Sequence, residues 1–309
     1  MPTFSNPFAK HALPAILLSL SLVCNVAALV YPFMKLRKGL DNELYTLMHS
    51  VSLLWSKGLY VLSLLVVGFS ILFPFAKLCI LFWVISTKSN HPIRQKLLKR
   101  VEHLGKWSML DVFLISIILS LASKQFFVGA KPQIGLTFFI VAILISMLTG
   151  ELISARIHGK TAPSFRSQTS QGGLILLLSG ITLIAALSFP FLRIEDWLLK
   201  NREYSILSLV PALWIQGAWV SSVLCALFLV AAPVLVFAAQ CYSWRTRSHP
   251  SWIARAKRWS MLDVFGLALV VFAIESDHLM KTEIHWGTLF LGTTLLLQTA
   301  FSRVLQKAL

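Results

Sequence analysis

Residues 107–113 read Trp-Ser-Met-Leu-Asp-Val-Phe, and the same seven letters return without change at residues 259–265. Seven consecutive identities do not arise by chance in a chain of 309 residues. A repeat at this separation indicates two copies of one structural unit. The fold must therefore be read as a duplication.

Landmarks on both sides of the heptad extend the repeat. The offset between the copies is 158 for Tyr31-Pro32-Phe33 against Phe189-Pro190-Phe191, and 152 for the heptad itself. Between these points the offset is 159, and the matched positions are Tyr45, Trp55, Gly58 and Pro74 against Tyr204, Trp214, Gly217 and Pro233. The offset falls only where the loop before the heptad shortens.

The composition is that of a membrane protein. Apolar residues make up 57% of the chain, charged residues only 13%, and the mean hydropathy is +0.75. The net charge of +16 does not indicate nucleic-acid binding, because the basic residues stand at the ends of long apolar runs. No nucleic-acid partner is expected.

Eight apolar segments approach the roughly 20 residues that a bilayer-spanning helix needs. They cover residues 13–33, 59–87, 107–123, 134–154, 172–192, 218–244, 259–275 and 285–305. The third and seventh are short, so we expect their helices to begin a turn or more earlier. The sequence predicts an all-α polytopic protein with two parallel four-helix modules at residues 1–155 and 172–309, joined by a cytoplasmic linker at 156–171.

Lysine and arginine counts predict the orientation. The loops on the side of the two termini hold 17 of these residues and the opposite loops hold 10. The opposite side carries eight of the twelve acids. Both termini are therefore predicted to face the cytoplasm, with the first apolar run kept as an uncleaved span.

The repeated heptad, together with Phe69-Ser-Ile-Leu-Phe-Pro-Phe-Ala-Lys-Leu78, makes the chain resemble the paraquat-inducible protein A family. The resemblance covers nearly the whole chain. It implies two tetraspanin-like four-helix modules, each with a small β element in its first outside loop, where Tyr45-Thr46-Leu47 and Tyr204-Ser205-Ile206 could supply strands. It also implies an inner-membrane protein that works with periplasmic MCE-domain tunnels in lipid traffic.

One feature of that family is missing from this sequence. Many members carry C-x-x-C zinc ribbons before each module, whereas none of the four cysteines here belongs to such a pair. The eight histidines show no zinc-ligand spacing either. We expect no metal and no cofactor.

Ionisable residues inside the bilayer are costly and mark candidate functional sites. Lys77 stands about 15 Å from the cytoplasmic end of its span, and Asp111 about 12 Å deep, from a rise of 1.5 Å per residue. Matching depths predict a polar site between them. Ser70, Ser108 and Ser146 are the expected lining, for a lipid headgroup or a proton path.

Ser70, Pro74 and Lys77 share one helix face at i, i+4, i+7 spacing, and Pro74 is expected to free the carbonyl of Ser70 and kink the helix. The second module has Leu229 and Val236 at the positions of Ser70 and Lys77, although Pro233 persists. Asp263 and Ser260 then have no lysine in their own module. Both are candidates for the lipid or proton path, and Asp263 could be protonated, could cap its helix with Ser260 or could face the first module.

Structural interpretations stay open for the same residues. Ser-x-x-Asp before an apolar run is also a capping box, which would explain Ser108 with Asp111 and Ser260 with Asp263. Lys77 could form a purely structural ion pair. Pro74 and Pro233 are expected to shape their helices rather than to bind a ligand.

No Walker, Rossmann or G-x-S-x-G motif occurs, so an enzyme is not expected. The leading hypothesis is an inner-membrane component that passes lipid to or from a periplasmic MCE-domain protein, with the energy supplied from outside the chain. Two alternatives remain: a non-transporting membrane anchor, and a small-molecule exporter linked to envelope or redox stress. The parallel repeat gives the exporter little support.

Overall fold

The structure is a computed structural model. It describes residues 7–38, 41–56, 58, 60–86, 97–98, 101, 105–122, 128–157, 170–194, 202–246, 256–257, 259–276 and 282–307. Most of these residues are helical. The predicted linker at 156–171 lies almost entirely outside the described residues.

The helices of the amino-terminal half follow the predicted apolar runs. They are α1 (Pro7–Val30), α2 (Leu47–Ser56), α3 (Tyr60–Val66), α4 (Phe73–Ser86), α5 (Leu110–Ala122) and α6 (Ile134–Ile157). A π-helical segment, Val67–Leu72, joins α3 to α4 without interruption, and a 3₁₀ turn, Lys106–Met109, precedes α5. α3, the π segment and α4 together form the second predicted span.

The carboxy-terminal half repeats this order. Its helices are α7 (Ser170–Ser188), α8 (Ile206–Ile215), α9 (Trp219–Cys225), α10 (Ala232–Thr246), α11 (Leu262–Ser276) and α12 (Trp286–Lys307), with the π segment Ala226–Ala231 between α9 and α10. The two π segments stand 159 residues apart, which is the offset of the surrounding sequence. The duplication therefore extends to an irregularity in the helix.

Each of the eight predicted runs coincides with helix, and the helices differ in length. Among the described residues four are long and apolar enough to cross a membrane: Ala12–Val30, Ser63–Ser86, Ile134–Ser154 and Trp219–Thr246. Gly172–Ser188 and Leu262–Ile274 are shorter apolar helices. This is an all-α membrane fold by length and composition; eight spans remain a prediction.

The early start expected for the seventh helix is only partly correct, because residues 256, 257 and 259 are helical but the helix does not continue from them into α11. Residues 260 and 261 are not helical, and α11 begins at Leu262. The backbone N–H of Met261 donates instead to the carbonyl of Phe228, at 3.4 Å. In a π register the carbonyl of Phe228 would pair with residue 233, which is a proline without an N–H, so this acceptor is open to Met261.

Each half carries a three-stranded antiparallel sheet. In the first half β1 (Met34–Lys38) lies between β2 (Asp41–Tyr45) and β3 (Val128–Pro132). In the second half β4 (Leu192–Ile194) lies between β5 (Arg202–Tyr204) and β6 (Thr282–Ile284). The third strand of each sheet comes from the loop before the last helix of that half, which sequence reasoning missed.

The expected strands are only partly correct. β2 and β5 end at Tyr45 and Tyr204, and the predicted strand residues Leu47 and Ile206 already belong to helices α2 and α8. Both tyrosines are buried, as are Leu47 and Ile206. A strand that passes directly into a short helix buries an apolar residue on each side of the junction.

The chain divides into two compact units. The first contains Met1–Val112 and Leu121–Gly159, and the second contains Phe113–Ser120 and Lys160–Leu309. The first and last helices of each half pack closely, as Gly135 N–H donates to the Pro32 carbonyl at 3.0 Å and Gly287 N–H to the Pro190 carbonyl at 2.9 Å. All the polar contacts described below lie within the first unit unless stated.

We expect Ser205→Ala to lower the free energy of unfolding by about 1 kcal/mol. The Ser205 side chain accepts from the N–H of Ser208 at 3.2 Å, and Ser208 Oγ accepts from the N–H of Ser205 at 2.9 Å, which forms a reciprocal cap at the start of α8. Thermal unfolding of the detergent-solubilised protein measures the loss. Ser205→Asp, which keeps an acceptor, should lose much less; equal losses in both variants would contradict a capping role.

Candidate functional site

Ser70 owes its position to the π segment. Pro74 cannot donate a backbone hydrogen bond, and the helix passes it with wider bonding, in which Phe73 N–H donates to the carbonyl of Gly68. Ser70 lies in this segment and is buried. A π turn rotates successive residues about the helix axis by less than an α-helix does. Ser70 and Lys77 are therefore not aligned on one helix face in the way that α-helical spacing predicts.

Lys77 is 3% exposed in α4, and its Nζ donates to Ser146 Oγ of α6 at 2.9 Å. Ser146 Oγ donates in turn to the carbonyl of Ile143, also at 2.9 Å. A lysine ammonium has three N–H donors. In the described part of the chain one of them has an acceptor, so the amine can bind a further oxygen ligand.

Asp111 is 1% exposed in the first turn of α5, and its Oδ2 accepts a hydrogen bond from Ser70 Oγ. The second carboxyl oxygen, Oδ1, is buried without a hydrogen-bond partner among the described residues. Ser108 Oγ, three residues earlier, is likewise buried and has no such partner. Two unfilled polar atoms therefore lie beside the Ser70 contact.

The expected direct ion pair between Lys77 and Asp111 is not formed. Both side chains lie in the described part of the chain, and each bonds to a serine on another segment rather than to the other charged group. The matching depths of the two residues were not enough to predict their partners, because depth does not fix the direction in which a side chain leaves its helix. The predicted polar site (Ser70, Lys77, Ser108, Asp111 and Ser146) therefore contains two separate contacts, Lys77 with Ser146 and Ser70 with Asp111.

Gly105 is a member of this region that sequence reasoning missed. A Cβ added at Gly105 would lie 3.6 Å from Lys77 Nζ, so the backbone before the heptad runs next to the amine. A glycine two residues ahead of the heptad was the only signal in the sequence. Its missing side chain leaves space beside the amine.

The predicted capping box is not formed in the first copy of the heptad, where Ser108 Oγ has no hydrogen-bond partner among the described residues, and for the second copy it stays a prediction. In the first copy the residue at the cap of the 3₁₀ turn is Gly105, which has no side chain. The Asp111 carboxylate accepts a hydrogen bond from Ser70. In the second copy Asp263 Oδ1 accepts from the N–H of Val264 at 3.0 Å, near the start of α11. Identical letters therefore make different contacts in the two halves.

The second half does not reproduce the polar site. Leu229 and Val236, at the positions of Ser70 and Lys77, are 0% and 1% exposed and contribute apolar packing. Pro233 follows its π segment as Pro74 does. Ser260 is half-buried before α11. The two halves thus share the helix irregularity, and they differ at the positions of Ser70 and Lys77.

A second polar contact in the first half holds helices together. Ser21 Oγ of α1 donates to the carbonyl of Ala142 in α6 at 2.8 Å, and Asn25 Nδ2 donates to the Ser21 carbonyl at 2.9 Å. Such contacts join helices in an apolar environment. They were not predicted, although a serine and an asparagine inside an apolar run were a visible signal.

The family model for paraquat-inducible protein A matches residues 12–158 and 171–309. No solved structure is significantly similar to the chain. The matched blocks leave out only the region between the two halves and the first eleven residues.

Three relatives are similar over shorter stretches. Intermembrane transport protein PqiA of Escherichia coli K12 is 25% identical over 130 residues, which cover 40% of this chain and 31% of that protein. Lipophilic envelope-spanning tunnel protein A of the same strain is 26% identical over 148 residues, covering 46% and 34%. A probable intermembrane transport protein of Haemophilus influenzae is 27% identical over 120 residues, covering 37% and 29%.

The matched stretch spans about a third of the length of these curated relatives. Their names describe transport across the bacterial envelope, not catalysis. With a duplicated helical fold and a family model that matches both halves, the chain belongs to the paraquat-inducible protein A family.

Proposed function

We propose that this protein is an inner-membrane component of a lipid-trafficking system of the bacterial envelope. It passes phospholipid to or from a periplasmic MCE-domain tunnel protein. The membership of the family and the transport names of its relatives support this role. The excess of lysine and arginine on the side of the termini supports a multi-pass orientation with both termini in the cytoplasm.

The observation that carries the proposal is the unpaired state of two buried ionisable groups. Lys77 and Asp111 bond to Ser146 and Ser70, and not to each other. Removing an amine and a carboxyl from water is expensive, and a direct ion pair would offset part of that cost. Two ionisable groups that are buried without a direct ion pair are better explained by a role in binding a ligand or carrying a proton than by a role in packing.

The chemistry of the polar site suits a phospholipid headgroup. Lys77 supplies N–H donors for a phosphate oxygen, and Gly105, which has no side chain, lies next to the buried amine. Asp111 Oδ1 and Ser108 Oγ can exchange hydrogen bonds with a headgroup hydroxyl or with a water that carries a proton. The sequence holds no nucleotide-binding motif, so the energy for net movement is supplied by a partner or by the proton gradient.

Lipid transfer from reconstituted vesicles to the soluble periplasmic part of the MCE-domain protein of the same organism tests this function. Vesicles carry a fluorescent phospholipid and the full chain in its native sequence. We expect lipid to appear on the MCE-domain protein at least about tenfold faster than from protein-free vesicles, since a shared path avoids spontaneous desorption.

A photoreactive phospholipid with its reactive group at the headgroup locates the path in the same vesicles. Labelling is expected on peptides that contain Ser70, Lys77 or Asp111. Labelling confined to the lipid-facing side chain of Cys79, which is exposed on the same helix as Lys77, would place lipid outside the polar site. Absence of both transfer and labelling would leave a membrane anchor as the function.

A further inference from the structure

The first sheet presents two lysines directly opposite each other. The register of β1 and β3 pairs Lys35 with Lys131, and the register of β1 and β2 pairs Lys35 with Leu44. Leu44 is 57% exposed and Lys131 is exposed, whereas Tyr45, on the other face, is buried. Because side chains alternate along a strand, Lys35, Leu44 and Lys131 share the outer face of the sheet, here called the basic sheet face.

This arrangement does not serve the stability of the sheet. Residues directly opposite in an antiparallel pair have Cβ atoms about 4.5–5.5 Å apart, and like charges at that distance are destabilising. Neither lysine forms an ion pair within the part of the chain that the structure describes. Two adjacent positive charges thus have no counter-charge among the described residues, and they can attract an external partner.

The second sheet provides a matched comparison inside the same molecule. By the repeat offsets, Lys35, Leu44 and Lys131 correspond to Arg193, Glu203 and Glu283. The register sets Arg193 opposite both Glu203 and Glu283. By register, the second sheet therefore has one basic residue between two acidic residues, whereas the first sheet has a lysine between a lysine and a leucine.

We infer that the basic sheet face is the docking surface for an acidic face of a protein on the periplasmic side. The inference rests on the proposed function, in which that protein is the MCE-domain partner. Two uncompensated amines attract carboxylates, and exposed Leu44 beside them adds apolar area to the contact.

A protein partner explains the difference in charge between the two sheets better than a lipid surface does. Anionic headgroups would attract basic residues on either sheet, so a lipid surface gives no reason for the two sheets to differ in charge. Of the two sheets that the structure describes, only the first has two lysines directly opposite each other in its register. Selective charge on one copy indicates a partner that binds at one place.

The test uses the full chain in nanodiscs of neutral phosphatidylcholine and the periplasmic part of the MCE-domain protein of the same organism as the probe. Lys131→Glu gives the first sheet an acid opposite its central lysine, as in the second sheet. We expect binding to weaken on the order of tenfold or more, and its salt dependence to decrease. Glu283→Lys in the second sheet is the matched control and should leave binding unchanged.

Lys131→Glu removes a repulsion, so its thermal unfolding temperature should not fall. If the wild type binds the probe and Lys131→Glu binds equally well, the docking surface is wrong while the proposed function stands. If binding requires phosphatidylglycerol and is absent in neutral lipid, the lysines contact lipid and the inference is wrong. If the wild type neither binds nor transfers lipid under any condition, the proposed function fails with it.

Discussion

Lys77→Met should reduce lipid transfer roughly tenfold to a hundredfold without lowering the thermal unfolding temperature. The lost interaction is a charge-assisted hydrogen bond to a bound headgroup, which contributes about 1.5–3 kcal/mol. Methionine has a similar length and no charge, and an apolar replacement of a buried charge is often neutral or stabilising. Vesicle-to-protein transfer and the unfolding temperature are measured on the same preparation.

The structure explains why folding should survive this change. Ser146 Oγ keeps its own donor bond to the Ile143 carbonyl when the Lys77 amine is removed. No carboxylate loses an ion-pair partner, because Asp111 bonds to Ser70. A structural role would give the opposite pattern, with a lower unfolding temperature and full transfer in the variant that remains folded.

Asp111→Asn extends the same test to the second ionisable group. Asparagine keeps an oxygen that can accept from Ser70 Oγ, and it cannot take up and release a proton. A loss of transfer similar to that of Lys77→Met therefore indicates a proton or a headgroup contact at Asp111. Cys79→Ala, on the exposed side of α4, is the control and should transfer at the wild-type rate.

Gly135→Ala should destabilise the protein by about 1–3 kcal/mol, the usual cost of overpacking a tight contact. A Cβ at Gly135 would lie 2.6 Å from the carbonyl oxygens of both Pro32 and Tyr31. Backbone atoms cannot move aside as a flexible side chain can. The N–H of Gly135 also bonds to the Pro32 carbonyl, which holds the two segments together.

The second half allows the same experiment to be repeated. A Cβ at Gly287 would lie 2.5 Å from the carbonyl oxygen of Pro190 and 2.6 Å from that of Phe189. Gly287→Ala should therefore lower the unfolding temperature as Gly135→Ala does, by roughly 2–10 °C for a loss of this size. Both variants are compared by thermal unfolding in one detergent.

Matched glycines on the same helices provide the controls. Gly150 in α6 and Gly292 in α12 have no atom within 4 Å of an added Cβ. Alanine there should be neutral or slightly stabilising, because it favours the helix over glycine. Equal destabilisation by all four alanines would show that the close approach of the backbones is not the cause.

The sequence alone predicted where the apolar helices lie, while eight spans and two four-helix modules remain a prediction. Long apolar runs can satisfy their backbone groups in lipid only as helices, so their positions follow from composition. The identical heptads fixed the two halves. Ser70, Lys77, Asp111 and Ser146 could be selected because polar residues in apolar runs are few.

Only the tertiary structure showed which of those residues form hydrogen bonds with each other. The sequence predicted that Lys77 would meet Asp111, and the structure bonds them to Ser146 and Ser70. Their depths follow from counting residues, but the direction around the helix depends on the π turn that Pro74 imposes. The π turn is a local change in the backbone hydrogen-bonding pattern, and the residue spacing of a regular α-helix does not predict it.

The strands before the last helices show the same limit. β3 and β6 are short segments whose pairing with β1 and β4 joins residues about 90 positions apart. Local sequence determined that the chain forms two sets of apolar helices. Only long-range pairing decided which short polar segments complete each sheet, and therefore that Lys131 lies opposite Lys35, because strand register depends on partners that a local pattern does not include.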